Sequence, residues 1–233
     1  MKTGLPQRMF MEPLTPSPCV TCNPSTHSAS ARSTLPARSR QYPLAKFLMP
    51  LRVISGTAGG LRLKSPKRHA LRPTQDRIRQ VIFSSLAEQV PGARVLDLYA
   101  GTGSFGIEAL SRGAASATFV EKEKEAVQCI RENLLHCHLQ GEVRPGDALA
   151  YLEGTPGDQF DLIFADPPYI KSRGPLEDDP LLDKLAHFLA PNGVFIWEHY
   201  AGRMLQNAPG WEVLRHRTYG ETGLTFLKYS RKK

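Results

Sequence analysis

The chain has 233 residues, 41% hydrophobic and 22% charged, a composition suited to one α/β domain with a buried core plus an extension. No apolar run reaches the roughly 20 residues of a membrane helix, and four cysteines are too few for a disulfide scaffold. The formal charge of +8 points to an anionic partner, but residues 1–48 hold six basic residues against Glu12 alone, which leaves only +3 for residues 49–233.

Residues 1–48 contain seven prolines, many Ser and Thr and little apolar periodicity, and read as a disordered basic tail. Their Arg and Ser content also fits an organellar import segment, although no amphipathic helix accompanies it. A simpler reading is an upstream start, with translation beginning at Met49, and the expected location is the cytoplasm. Cys19 and Cys22 have C-x-x-C spacing without a second pair, so no metal site is expected.

Residues 49–92 read as an N-terminal hairpin and helix, and residues 93–233 as the core domain. Leu51 to Ser55 and Leu61 to Lys64 pair around Gly59-Gly60. Residues 74–90 form an amphipathic helix with Thr74 at its N-cap and Ile78, Val81, Ile82, Ser85 and Leu86 along one face. Strands and helices then alternate. Val95–Tyr99 is a strand, Ser104–Arg112 a helix, Ala117–Glu121 a strand, Lys122–His138 a helix and Glu142–Arg144 a short strand. Phe160–Ala165 is a buried strand, Leu181–Leu189 a helix and Gly193–Glu198 another buried strand. Trp211–Arg217 and Leu224–Tyr229 close the chain as an antiparallel pair. This alternation predicts an α/β fold, a doubly wound, Rossmann-like parallel sheet with an antiparallel final pair. Ligands of such sheets bind at the carboxyl ends of the strands. Within the helix 122–138, Cys129 reads as a small buried hydrophobe, and His136 and His138 as surface residues at its end.

Gly101-Thr102-Gly103-Ser104-Phe105-Gly106 fits G-x-G-x-x-G between a strand and a helix, and Glu121 follows 20 residues after Gly101. Alone, this pattern supports a nicotinamide-dependent oxidoreductase as well as a methyltransferase. Asp97, four residues before Gly101, tilts the balance. A carboxylate repels a pyrophosphate but attracts the α-ammonium and sulfonium of S-adenosyl-L-methionine, by about 4 kcal/mol at ~4 Å and an effective dielectric of 20. Glu121 is then expected at the ribose hydroxyls, and Asp147 at the adenine amine.

Phe160–Ala165 runs into Asp166-Pro167-Pro168-Tyr169. The prolines end sheet pairing and fix the backbone. An exocyclic base amine is a poor nucleophile, because its lone pair is delocalised into the ring. Hydrogen bonds from it to Asp166 and to a carbonyl near Pro167 orient it and stabilise the charge that develops. Tyr169 stacks on an extruded base.

Together these residues resemble class I S-adenosylmethionine methyltransferases that act on amino groups. Leu51 to Gly56, Leu71-Arg72-Pro73-Thr74-Gln75-Asp76-Arg77-Ile78-Arg79, Leu96 to Gly103, Gly106 to Ala114 and Phe119 to Lys122 resemble the RsmD family in particular. The similarity runs from about Leu51 to Tyr229. It implies methylation of the N2 amine of one guanine in bacterial 16S ribosomal RNA, alone or in the small-subunit particle, by a monomer without a membrane partner. It assigns Arg72, Pro73, Thr74, Asp97, Tyr99, Ala100, Gly101, Gly103, Glu121, Lys122, Asp147 and Ala148 to the cofactor. It assigns Asp166, Pro167, Pro168 and Tyr169 to the base, and Arg52, Arg62, Lys64 and Arg77 to RNA. The competing readings are an amino methyltransferase of DNA adenine or cytosine or of protein glutamine, an oxidoreductase, and a non-catalytic RNA-binding protein.

Overall fold

The computed structural model describes residues 51–66, 74–154, 159–168, 175–205 and 208–230, with Thr74 and Gln75 described by their backbone alone. All lie within the compact unit Ala45–Lys233. The tail 1–48, Arg72, Pro73, the Thr74 side chain and Tyr169 lie outside the described residues.

The elements in chain order are α1 (Thr74–Ser85), β1 (Arg94–Leu98), α2 (Ser104–Ser111), β2 (Ser116–Glu121), α3 (Lys124–His136), β3 (Glu142–Pro145), α4 (Ala148–Gly154) and β4 (Phe160–Ala165). A 3₁₀ turn (Leu176–Asp178), α5 (Pro180–Leu185), β5 (Leu189–Tyr200), β6 (Trp211–Tyr219) and β7 (Thr222–Tyr229) follow. The sheet order is β3-β2-β1-β4-β5-β7-β6. The pairs from β3 through to β5 are parallel. β7 is antiparallel to both β5 and β6. This is the expected doubly wound sheet, with one feature that periodicity does not show. The last strand inserts between β5 and β6, so the closing pair joins the sheet through β7.

Two apolar layers cover the sheet, and in each a fully buried Leu, Ile or Phe contributes about 1.5–3 kcal/mol. On one face Ile78, Ile82 and Phe83 of α1, Ile107 of α2 and Ile130 of α3 pack on Val95, Phe119, Phe164 and Ile196. On the other, Leu152 of α4 and Leu181, Leu182 and Leu185 of α5 pack on Leu96, Leu98, Ile163 and Trp197. Gly106 lets α2 approach β2, since a Cβ there would sit 2.3 Å from the Phe119 ring.

The largest boundary shifts are in α1, α5 and β5. α1 ends at Ser85 rather than residue 90, and hydrogen-bonded turns continue to Val90 before Pro91 and Gly92 (φ 76°). α5 stops at Leu185 and β5 begins at Leu189, because Phe160 N donates to Phe188 O and pairs the preceding segment into the sheet. α4 was not anticipated. Asp147 Oδ1 accepts from Leu149 N (2.9 Å) and Ala150 N (3.2 Å), capping a helix too short for periodicity to register.

The segment 51–64 forms the expected hairpin through one antiparallel bridge, Arg52 to Arg62. Side chains of α2 and α3 tie it to the domain. Glu108, fully buried, accepts from Ile54 N (2.6 Å), Ser55 N (3.1 Å) and Arg112 Nε (2.6 Å). Asn133, also fully buried, accepts from Lys64 N (2.8 Å) and donates to Lys64 O (3.1 Å) and Thr102 O (3.0 Å). One amide thus joins hairpin, helix and glycine loop.

Candidate active site

A cavity of about 780 Å³ opens at the carboxyl ends of the strands, where the order reverses between β1 and β4. Tyr99 to Thr102, Ser104 and Phe105 form one wall, Val120 to Glu123 a second, and Gly146 and Ala148 the floor after β3. Asp166, Pro167 and Pro168 rise from the end of β4, Glu198 from β5, and Arg79 from α1. The cavity therefore brings together the glycine loop, the end of β2 and the Asp-Pro-Pro turn from three distant stretches of chain.

The loop after β1 is built from left-handed residues, Tyr99 (φ 56°), Gly101 (φ 55°) and Gly103 (φ 76°). A bulky side chain in that region carries strain of about 1–3 kcal/mol, so the fold holds Tyr99 there against its own preference. Gly101 and Tyr99 face the cavity. At Gly103 the limit is set by the packing of the loop itself. A Cβ there would come within 3.2–3.3 Å of Ile107 and Ile130, so it serves the packing of the loop on α2 and α3.

Glu121 ends β2 and is 8% exposed. Its Oε2 accepts from Gly101 N (2.8 Å) and its Oε1 from Glu123 N (2.9 Å). It therefore clamps the loop as well as lining the cavity.

Asp97 departs from its expected role. It is 1% exposed, does not line the cavity, and accepts from Gly106 N at 2.9 Å. Burial pushes its carboxyl up to about 8, the Gly106 hydrogen bond opposing and the Glu121 charge adding to the rise. Enclosed and bonded to Gly106 N, the Asp97 side chain lies beneath the loop rather than on the cavity surface. The loop itself also disfavours a pyrophosphate. The loop amides that a pyrophosphate would use are already taken, Gly101 N by Glu121, Gly106 N by Asp97 and Gly103 N by Ala100 O. A loop whose N–H groups are spent on carboxylates and a carbonyl is poorly made for phosphate. The Asp147 side chain is exposed and caps α4, while its neighbours Gly146 and Ala148 line the cavity.

Arg79, the last residue of the stretch Leu71 to Arg79 and given no site role from the sequence, is 1% exposed and lines the cavity. Its Nη2 donates to Arg52 O (2.5 Å) and Asp76 Oδ1 (2.9 Å). Among the described residues, its Nε and Nη1 have no acceptor. Desolvation lowers its pKa, with Asp76 and Glu108 opposing. An orphaned, buried N–H pair on a cation marks a place for an anionic group. The sequence held a signal for it, since Arg79 adjoins Ile78 and Ile82 on the buried face of α1. Glu198 was missed too. An acid at the carboxyl end of a buried parallel strand was the available sign.

The four residues expected at RNA are exposed. Arg52 and Arg62 face each other across the hairpin bridge. Lys64 pairs with Glu132 at 2.7 Å, which offsets its charge.

Comparison with known proteins adds to these observations. A family model described as conserved hypothetical protein 95 matches residues 51–228. Ribosomal RNA small subunit methyltransferase D of Escherichia coli (strain K12) is 34% identical over 175 residues, 73% of this chain and 86% of that protein. The solved Escherichia coli protein yhhF is 30% identical with a TM-score of 0.68, over 78% of this chain and 99% of that one. SMU.776, solved in complex with SAH, is similar in fold alone, at 18% identity and a TM-score of 0.55 over 67% of this chain and 50% of that one.

Proposed function

The chain belongs to the RsmD family, and from that premise we propose that it transfers a methyl group from S-adenosyl-L-methionine to the N2 amine of a guanine in small-subunit ribosomal RNA. The observation that carries the reading is the cavity itself, in which the glycine loop and Glu121 face the Asp166-Pro167-Pro168 turn.

The residues present fit the cofactor. Arg79, with two buried N–H groups lacking an acceptor among the described residues, suits the α-carboxylate. Glu121 keeps lone pairs for the ribose hydroxyls beyond the two N–H bonds it accepts. Gly101, Gly146 and Ala148 leave room for the rest, and Lys122 and Tyr99 border it. Arg72, Pro73 and Thr74 belong to this group by resemblance. When bound, S-adenosyl-L-methionine supplies a methyl group on a sulfonium, activated for attack by an amine.

The chain's own residues then hold the acceptor. Asp166 takes a hydrogen bond from the amine through its carboxylate, and a backbone carbonyl at Pro167 takes the second. These two acceptors turn the lone pair toward the methyl and stabilise the positive charge that grows on nitrogen. Tyr169 stacks on the extruded base. Arg52, Arg62, Lys64 and Arg77 meet the phosphate backbone. Two arginines directly opposite on a hairpin repel each other, a cost that a polyanion offsets. The working location is the cytoplasm, and the partner is 16S ribosomal RNA or the small-subunit particle.

The test is transfer of labelled methyl by the purified protein to small-subunit RNA or particles lacking the modification, followed by mapping of the base. Label on guanine N2 is expected, whereas label on DNA and none on RNA would overturn the reading. Asp166→Ala is expected to bind S-adenosylhomocysteine normally and to lose about a hundredfold or more in transfer. Normal turnover would remove Asp166 from the mechanism.

A further inference from the structure

Ala165 of β4 and Trp197 of β5 are register partners in a parallel pair. The next residues are Asp166, just past the end of β4, and Glu198 within β5, and strands paired in this way run about 4.8 Å apart. Ala165 and Trp197 face the layer of α4 and α5, while Phe164 and Ile196 face that of α1 to α3. Continuing the alternation puts Asp166 and Glu198 together on the α1 side. Both line the cavity, and Glu198 is only 6% exposed. Two carboxyl groups, one just past β4 and one near the end of β5, thus line one cleft, where a single one would suffice to hold an amine.

We infer that Glu198 reads the ring N1–H of the target base and so selects guanine over adenine and cytosine. This rests on the reading of Asp166 as the acceptor for the amine. The argument is one of hydrogen-bond polarity. In adenine and cytosine the ring nitrogen beside the exocyclic amine, on the pairing edge, is an acceptor. In guanine that neighbour is a donor. A carboxylate accepts and cannot donate. An acid beside the amine-holding acid therefore satisfies guanine with two adjacent donors. It meets adenine or cytosine lone pair to lone pair, leaving both groups desolvated and unpaired. A fixed hydrogen-bond partner for a base edge gives discrimination of about 5- to 150-fold. The same pairing disfavours the DNA adenine and cytosine alternatives on this chain's own residues.

The experiment uses small-subunit RNA in which the target guanine is replaced by 2-aminopurine. That base keeps the 2-amine but presents a lone pair at N1. The full chain is expected to methylate the guanine substrate at least tenfold more efficiently in kcat/KM than the 2-aminopurine substrate. Glu198→Gln, whose amide can donate, should narrow that ratio at least fivefold with unchanged affinity for S-adenosylhomocysteine. The base also lacks O6, but that loss acts on both enzymes and cancels in the comparison. Equal use of both substrates by the unaltered chain would overturn the assignment. So would an equal loss on both in Glu198→Gln. If that variant does not fold, Glu198→Asp serves in its place, with a shortened acceptor expected to weaken guanine selectively. Transfer by the unaltered chain to an amine other than guanine N2 would instead remove the reading of the whole site.

Discussion

Arg79 has its guanidinium at 1% exposure with two N–H groups that meet no acceptor among the described residues. Leaving a buried donor unpaired costs about 1–3 kcal/mol, so a ligand carboxylate that accepts from one of them gains more than a surface pair would. Arg79→Met is expected to weaken S-adenosylhomocysteine 10- to 100-fold by titration calorimetry. Methylthioadenosine, which lacks the amino-acid carboxylate, should bind within twofold of normal. Equal weakening of both would reduce Arg79 to a support for the hairpin, through its bond to Arg52 O. Asp97 teaches the complementary lesson. Its place at the end of β1 was legible from the sequence, but whether it faced the ligand or the underside of the loop was not. That depends on how α2 settles over the strand, and there the Gly106 amide claims it.

At the scale of elements, the inner strands and α1 to α3 were legible, because long apolar stretches with clear period leave few alternatives. What escaped was short or nonlocal. Seven-residue α4 starts from its cap, Asp147, rather than from a pattern, and the helix expected at Leu181–Leu189 ends early, at Leu185. The insertion of β7 between β5 and β6 brings together His199, His216 and Thr225. His199 Nε2 lies 2.8 Å from Thr225 Oγ1, His216 Nδ1 2.9 Å from the same oxygen, and the two rings stack at 5.8 Å. Burial pushes His199 down to about 4. The Tyr200 carbonyl opposes that shift, and His216 and Arg203 add to it. A histidine depressed on folding binds fewer protons folded than unfolded between about 4 and 6.5. Its contribution is therefore full above about 6.5 and is lost as pH falls toward 4, by about 3 kcal/mol at most. Denaturant midpoints measured from pH 7 to 4 should fall accordingly. His199→Gln should flatten the decline, and an unchanged slope would show that other groups carry it.

For the molecule as a whole, the N-terminal hairpin and α1 are part of the site rather than an appendage. Leu51, Ser65, Pro66 and Arg79 line the cavity, and Asn133 fastens Lys64 to the glycine loop. Residues 1–48 are the contrasting case, with a composition that offers no apolar face to bury. A chain beginning at Met49 is expected to retain transfer within about twofold of the full chain, and a tenfold loss would place the tail at the substrate. Among the described residues, no helix is long and apolar enough to cross a membrane. By itself, the sequence determined the alternating α/β order, the glycine loop, the Asp-Pro-Pro turn at the end of β4 and the resemblance that names the family. Each of these is a local pattern or an unbroken stretch of chain. Only the tertiary structure decided which acids face the cavity. Asp97 turned under the loop, Asp147 turned to a helix cap, and Glu198 came to line the same cavity as Asp166, because side-chain direction at a strand end is set by what packs above it. Burial of Arg79 was likewise decided there, since one arginine in the stretch Leu71 to Arg79 looks like another until the hairpin meets it through Arg52 O.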